Sequence, residues 1–164
     1  MSILDGWRFC PRCAGNLTSA GDHLRCVRCG ERYWANAVPA VQGVLERDGR
    51  VLLARRALEP RLGEWDLPGG FLDENEDPVA GLRREFLEET GLAVEPLELL
   101  RVDVEPYGDR FVFSVTWIVA GEGEPAAADD VAELRWFAPP ELPPMAFPGQ
   151  EHVLAAWLAR REHA

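Results

Sequence analysis

The 164-residue chain has no lysine, three histidines, four cysteines and no long apolar run. Each shortage removes a class of protein. A helix that crosses a bilayer needs about 20 consecutive apolar residues, and no stretch approaches that length, so no membrane partner is expected. The opening MSILDGWRF lacks the basic start and apolar stretch of a secretory leader, which makes a cytoplasmic protein the expectation. His23, His152 and His163 are scattered and mark no site. There are no internal repeats or low-complexity segments.

Positive charge is short as well. Seventeen basic residues, all arginine, face 28 acidic ones, for a net charge of −11. That balance opposes a general affinity for nucleic-acid backbone or for an anionic membrane surface. The charge is unevenly spread, because residues 1–35 carry five arginines against Asp5, Asp22 and Glu31. With 47% apolar and 27% charged residues the chain can bury a core and does not read as disordered. Its length allows one compact domain and a small appendage.

The cysteines fall into two knuckles, Cys10-Pro-Arg-Cys13 and Cys26-Val-Arg-Cys29, twelve residues apart. A C-x2-C turn aims two thiolates at one tetrahedral ion, and a second turn completes a four-thiolate site. A segment this short and polar has no apolar core of its own, so bound Zn²⁺ would supply much of its folding free energy. Disulfides would need an oxidising compartment, and a redox pair would need a thioredoxin-like setting. An iron–sulfur cluster fits the spacing too. Structural zinc is the preferred reading, with residues 1–35 as a zinc ribbon and 36–164 as the main domain. Gly15 and Gly30 follow the knuckles, where a tight turn calls for positive φ. Arg8, Arg12, Arg25, Arg28 and Arg32 alternate with Trp7, Phe9, Tyr33 and Trp34. That interleaving fits nucleic-acid contact, but the preferred reading puts the aromatics in the ribbon core and in its seam with the main domain.

The segment Gly70 to Leu92, GFLDENEDPVAGLRREFLEETGL, is the most informative. Residues i, i+3 and i+4 of a helix share a face, so Glu85, Glu88 and Glu89 fall within an arc of roughly 100° at its C-terminal end. Alone, such a run is an ordinary solvated acidic face. Clustered carboxylates are also the wrong sign for a helix C-terminus, and a divalent cation would neutralise them. Dense oxygen ligands suit Mg²⁺ or Mn²⁺, which share their shell with water and phosphate.

This segment resembles the Nudix box, the signature of hydrolases that cleave nucleoside diphosphates linked to another group. The pattern G-x5-E-x7-R-E-U-x-E-E-x-G-U, with U a bulky apolar residue, is met by Gly70, Glu76, Arg84, Glu85, Phe86, Glu88, Glu89, Gly91 and Leu92. The resemblance extends upstream through EWDLPGG and downstream through AELRWF, across most of residues 38–160. It implies an α+β fold, a Nudix-type α/β/α sandwich with a mixed sheet. It implies Glu85, Glu88 and Glu89 as metal ligands, the Gly70 carbonyl as an additional one, and Arg84 as the group that orients the carboxylates. Glu76 would brace the loop–helix–loop. The general base varies in this family, so a helix glutamate, Glu133, Asp129 and Asp130 all stay open.

The remaining elements follow from local pattern. Val38 to Glu46 and Arg50 to Arg55 read as strands joined at Asp48-Gly49, a hairpin signal. Glu64 to Leu67 reads as a short strand broken by Pro68-Gly69-Gly70. A helix is expected from Pro78 to about Thr90, with Gly91 as its terminator. Val79, Leu82 and Phe86 form its buried stripe, and Gly81 leaves room for metal and phosphate. Leu97 to Val104, Phe111 to Ala120 and Leu134 to Phe137 read as strands. Gln150 to Arg161 reads as an amphipathic helix with Val153, Leu154, Trp157 and Leu158 inward.

By this resemblance the substrate is a small nucleoside diphosphate derivative of the ADP-ribose, FAD or NADH type. Water attacks one phosphorus, and metal ions spread the developing charge. Arg55, Arg56 and Trp65 are substrate-contact candidates. Val102 to Tyr107 does not match the motif that follows the box in NADH pyrophosphatases, and Met145-Ala-Phe-Pro148 resembles it but lies far downstream. Two alternatives stand beside the hydrolase: a non-catalytic Nudix ligand sensor, and an RNA-directed Nudix protein using its Arg-rich ribbon. A homodimer is compatible with the sequence.

Overall fold

The computed structural model describes residues 3–161. The cysteine segment forms its own antiparallel sheet of three strands, β1 (Leu17–Ser19), β2 (His23–Cys26) and β3 (Arg32–Trp34), in that order. The main sheet is mixed. Its strands are β4 (Val38–Arg47), β5 (Arg50–Arg56), β8 (Val94–Tyr107), β9 (Arg110–Gly121) and β10 (Val131–Phe137), in the order β10-β5-β4-β9-β8. The β4–β9 pair is parallel. Two short strands lie off this path: β6 (Trp65–Asp66) pairs with β5 and β7 (Gly69–Phe71) with β4.

Helix α1 (Pro78–Thr90) covers one face of the sheet and α2 (Pro148–Arg161) the other. Alternation along the central strands feeds both layers. Val41, Leu45 and Leu52 pack under Leu82 and Phe86 of α1, while Val44, Val51 and Leu53 pack under Val153, Leu154 and Trp157 of α2. A strand covered on both sides reads as a near-continuous apolar run, as Ala40 to Leu45 does here, broken only by Gln42 and Gly43. The α/β/α layering expected from the resemblance is thus present. No helix of the described residues is long and apolar enough to cross a membrane.

Helix α1 has the boundaries its sequence dictates. Asp77 caps it by accepting from the Val79 and Ala80 N–H groups at 2.9 and 3.2 Å, Pro78 opens the first turn, and Gly91 ends it at φ 70°. Its buried stripe is shifted from expectation: Gly81, Leu82, Phe86, Glu89 and Thr90 are buried, whereas Val79 is only half-buried.

Two further expectations are corrected. The short strand does break, after Asp66, but Gly69 and Gly70 then form β7 itself rather than a loop, opposite Gln42 and Val41. The backbones approach so closely that a Cβ on Gly69 would collide with the Val41 carbonyl. The β8–β9 hairpin is also longer than read. Pro96 and Pro106 lie inside β8, which tolerates them because it is the edge of the sheet.

Candidate active site

The Nudix-like segment lines one wall of a cavity of about 320 Å³. Arg84 organises that wall. Its Nε and Nη2 donate to the two oxygens of Glu76, each at 2.8 Å, and its Nη1 donates to Glu85 at 2.7 Å and Glu88 at 3.0 Å. Nη2 also donates to the Phe71 carbonyl at 3.0 Å, tying the helix to β7. Glu76 accepts the Asp73 N–H as well, at 3.0 Å, closing the loop ahead of the helix. The Arg84 fork holds the Glu76 carboxyl down to about 2, helped by the Asp73 N–H.

The three helix carboxylates meet different fates. Glu88 is exposed. Glu85 is raised by burial, against the pull of Arg84. Glu89 is only 6% exposed and accepts the Gly69 N–H at 2.8 Å. Burial, with Asp130, Asp66 and Glu85 nearby, pushes it up to about 9. Gly70 has no room for a side chain, because a Cβ there would sit 2.5–2.6 Å from the Glu85 carboxylate. Gly81 serves otherwise than expected. A Cβ there would meet Leu72 and, at 2.9 Å, Glu76, so its bareness seats the Arg84 brace rather than metal and phosphate.

The rest of the cavity lining is aromatic and polar. Tyr107 stacks on Phe147 with centroids 5.0 Å apart and meets the edge of Phe71 at 5.4 Å. Arg56 lies over the Phe147 ring at 5.3 Å, donates to the Tyr107 hydroxyl at 3.2 Å and pairs with the buried Asp66 at 2.6 Å. Burial raises Asp66 despite the donors Gln150 and Arg56. Gln150 donates to both Asp66 and Gln42, and Gln42 donates to Thr116 at 2.9 Å. Glu105 accepts the Gly149 N–H at 2.9 Å and is raised by burial. The Gln150 Oε1 atom is buried with no protein partner. All these groups except Thr116 and Gly149 line the cavity.

The predicted residues sort cleanly by position. Glu85, Glu88, Glu89, Arg84, Gly70, Arg56, Asp129 and Asp130 line the cavity. Arg55 does not: its Nε donates to the Gly63 carbonyl and its guanidinium faces Glu133. Glu133 is held by Arg135 and Arg55 and is not among the residues lining the cavity. Trp65 packs edge-on against Phe137 at 4.8 Å, beneath Arg135, and belongs to the core rather than to the cavity. Sequence reasoning passed over Gln42, Asp66, Glu105 and Gln150 because each comes from a different element with no shared spacing. For Phe147 the signal was Met145-Ala-Phe-Pro148, set aside for its distance from the box.

In the ribbon, the four cysteine sulfurs lie within 4.8 Å of one another and all four are free thiols. The Cys10–Cys29 and Cys13–Cys26 separations are 3.7 and 3.5 Å. A tetrahedral ion with metal–sulfur bonds near 2.3 Å requires sulfur separations of about 3.8 Å, so the donor set fits zinc. The Arg28 and Cys29 N–H groups point at the Cys26 sulfur, and the Tyr33 hydroxyl at 3.1 Å lowers Cys10 to about 6. The left-handed residue after the first knuckle is Ala14, at φ 57°, not Gly15. Gly15 is needed for space, since a Cβ would lie 2.7 Å from Arg28 Cβ and 3.1 Å from the Cys26 sulfur. Among the described residues only these cysteines bring three or more such ligand atoms so close.

A family model described as the NUDIX domain matches residues 35–157. An ADP-ribose pyrophosphatase of Methanocaldococcus jannaschii is 38% identical over 120 residues, which cover 71% of this chain and 70% of that protein. An NAD-capped RNA hydrolase of Pseudomonas aeruginosa is 30% identical over 167 residues, covering 96% of this chain but 58% of the relative. The crystal structure of a Nudix hydrolase from Nitrosomonas europaea superposes with a TM-score of 0.82 at 28% identity, covering 96% of this chain and 94% of that one. The matched span, the layered fold and the Arg84-centred carboxylates agree, and the chain belongs to the Nudix family.

Proposed function

We propose that this chain is a divalent-metal-dependent pyrophosphohydrolase that cleaves the diphosphate of a nucleoside diphosphate linked to another group. The observation that carries this reading is the set of Glu85 and Glu88, held by Arg84, and Glu89, held by the Gly69 N–H, on the wall of a cavity that aromatic rings also line. A sensor with no catalytic role would have no use for the complete set of acidic ligands.

Glu85, Glu88, Glu89 and the Gly70 carbonyl are the groups that would hold Mg²⁺ or Mn²⁺. When bound, such an ion stabilises charge on phosphate oxygens and lowers the pKa of an attacking water. Arg84 keeps Glu85 and Glu88 aimed while leaving their remaining oxygens available. Asp129 and Asp130 also line the cavity, Asp130 near Glu85 and Glu89, and are candidate proton acceptors. Arg56, fixed by Asp66 and Tyr107, lines the same cavity and is the guanidinium that would meet a phosphate of the substrate. Tyr107, the more exposed ring of the Tyr107–Phe147 stack, would offer surface to a base. Glu105 and the unpartnered Gln150 Oε1 are acceptors that select a base edge bearing N–H donors. The cysteine cluster would hold a structural Zn²⁺.

ADP-ribose is the first substrate to test, since the archaeal relative is named for that activity; FAD and NADH follow. The decisive experiment is a Mg²⁺-dependent screen of these three compounds, with Glu88→Gln and Glu89→Gln as controls. Each variant should lose at least ~10²-fold in rate if it removes a metal ligand. Turnover close to wild type in both would overturn the assignment.

A further inference from the structure

The ribbon carries a surface that neither the cysteine cluster nor the cavity uses. Across β2 and β3, Arg25 is the direct partner of Arg32, and His23 of Trp34. Residues two apart on a strand share a face, so these four side chains stand on one side of the small sheet. Tyr33, between Arg32 and Trp34, takes the other side, where its hydroxyl reaches the Cys10 sulfur.

Two like charges directly opposed on a ladder are destabilising. Of the acids close at hand, Glu31 pairs with Arg12, and Asp22 sits at the His23–Trp34 end of this face, paired with His23 rather than with either arginine. Neither Arg25 nor Arg32 has an ion-pair partner among the described residues, and both are exposed. Beside them Trp34 is 46% exposed and lies nearly flat on His23, with centroids 5.2 Å apart at 29°. The sequence reading placed this tryptophan in the seam with the main domain. That seam is instead lined by Ile3, Ala35, Asn36 and Ala37 against the tip of the β8–β9 hairpin, which leaves Trp34 facing outward.

Paired guanidinium groups without counter-charges suit successive phosphates. A supported indole beside them suits an unstacked base, because any base offers a π-face. We propose that this face of the ribbon, formed by Arg25, Arg32, Trp34 and His23, binds a single-stranded nucleic-acid chain. The net charge of −11 does not prevent it. At physiological ionic strength fields are screened within about 8 Å, and the acidity is concentrated in the main domain. The ribbon also joins the sheet at a useful place. The hairpin tip beside its linker begins just after Tyr107, which lines the cavity. The binding proposal does not depend on the hydrolase reading, since it needs no turnover.

The test is fluorescence anisotropy of a labelled, unstructured 20-nucleotide RNA with the full zinc-loaded chain, without added Mg²⁺. Wild type should bind with a salt-dependent affinity. Removing two phosphate contacts in Arg25→Ser/Arg32→Ser should lower the slope of log K against log salt by about 1.4, at roughly 0.7 per single-strand phosphate. Trp34→Ala should weaken binding about 5-fold or more, and Trp34→Tyr should keep most of the affinity. Zinc content measured on every variant establishes that the ribbon is folded, and Arg61→Ser, on an exposed loop of the main domain, should bind as wild type. The proposal is overturned if wild type fails to bind at low salt, or if the zinc-retaining ribbon variants bind normally. Equal loss in Arg61→Ser, or equally tight binding of a duplex, overturns it as well.

Discussion

Arg84 and Glu76 are joined fork to fork, two parallel bonds of 2.8 Å across the eight residues that separate a loop from its helix. This pair anchors the arginine so that its remaining Nη1 edge meets Glu85 and Glu88 at fixed positions. A bidentate guanidinium–carboxylate contact cannot be reproduced by an ammonium group. Arg84→Lys should therefore keep the fold but lose about 10-fold or more in kcat/KM, with a weaker apparent affinity for Mg²⁺. Activity titrated against Mg²⁺ checks this, and an unchanged metal dependence would argue that Arg84 acts otherwise.

The same pair makes a pH prediction. The folded-state Glu76 carboxyl is depressed to about 2 from an ordinary value near 4.5. A depressed carboxylate contributes stability above its unfolded pKa and loses it as pH falls through the folded one. The stability gap between wild type and Glu76→Gln should be constant above about pH 5.5 and close progressively between pH 4.5 and 2. Urea midpoints measured at several pH values test it; a gap that widens on acidification would contradict the assignment.

Gly81 tests the corrected role of that glycine. A methyl group there would press on Leu72 and on the Glu76 carboxylate, while the helix itself prefers alanine to glycine by up to ~1 kcal/mol. Overpacking costs about 1–3 kcal/mol, so the collision should outweigh the propensity gain. Gly81→Ala should thus lower thermal stability and also reduce activity by loosening Arg84. A more stable, fully active variant would show that Leu72 and Glu76 yield freely.

Much of this molecule was legible in its sequence because local chemistry set it. Asp77, Pro78 and Gly91 bound helix α1, the Asp48-Gly49 turn carries the two positive φ values its hairpin needs, and the glutamate spacing put three carboxylates on one wall. What was not legible depends on contacts between distant segments. Nothing in Gly69-Gly70 alone says whether it breaks a strand or lies against one, since the answer is in the approach of β4. Trp65 reads in sequence as a core residue more readily than as a ligand plate, and the edge contact with Phe137 agrees with the first. Arg55 and Arg56 are neighbours in sequence, yet strand alternation sends one to the cavity and the other to Glu133.

The ribbon should hold about one zinc per chain, and Cys10→Ser or Cys26→Ser should abolish it, because three thiolates bind far less tightly than four. Its sheet is separate from the main one and contributes nothing to either core cluster. Loss of the metal should therefore melt residues 1–35 while the main domain keeps its own unfolding transition. Metal analysis with calorimetry reads both, and collapse of the whole chain on zinc removal would contradict this separation.

The far end of the cavity gives the sharpest test of how substrate lies. Glu105 is far from the Arg84 cluster in role: it accepts the Gly149 N–H at the start of α2 and shares the cavity floor with Gln150. If it receives a hydrogen bond from the base, that contact is made equally in the ground state and the transition state. Removing such a contact raises KM and leaves kcat alone. Glu105→Gln preserves shape and still accepts from Gly149, so its effect isolates the charge. Loss of a bond to a charged acceptor is worth about 1.5–3 kcal/mol, and KM should rise roughly 10-fold or more while kcat stays within about 3-fold. A fall in kcat at constant KM would place Glu105 at the reacting phosphate instead, and would reverse the orientation of the substrate in the cavity.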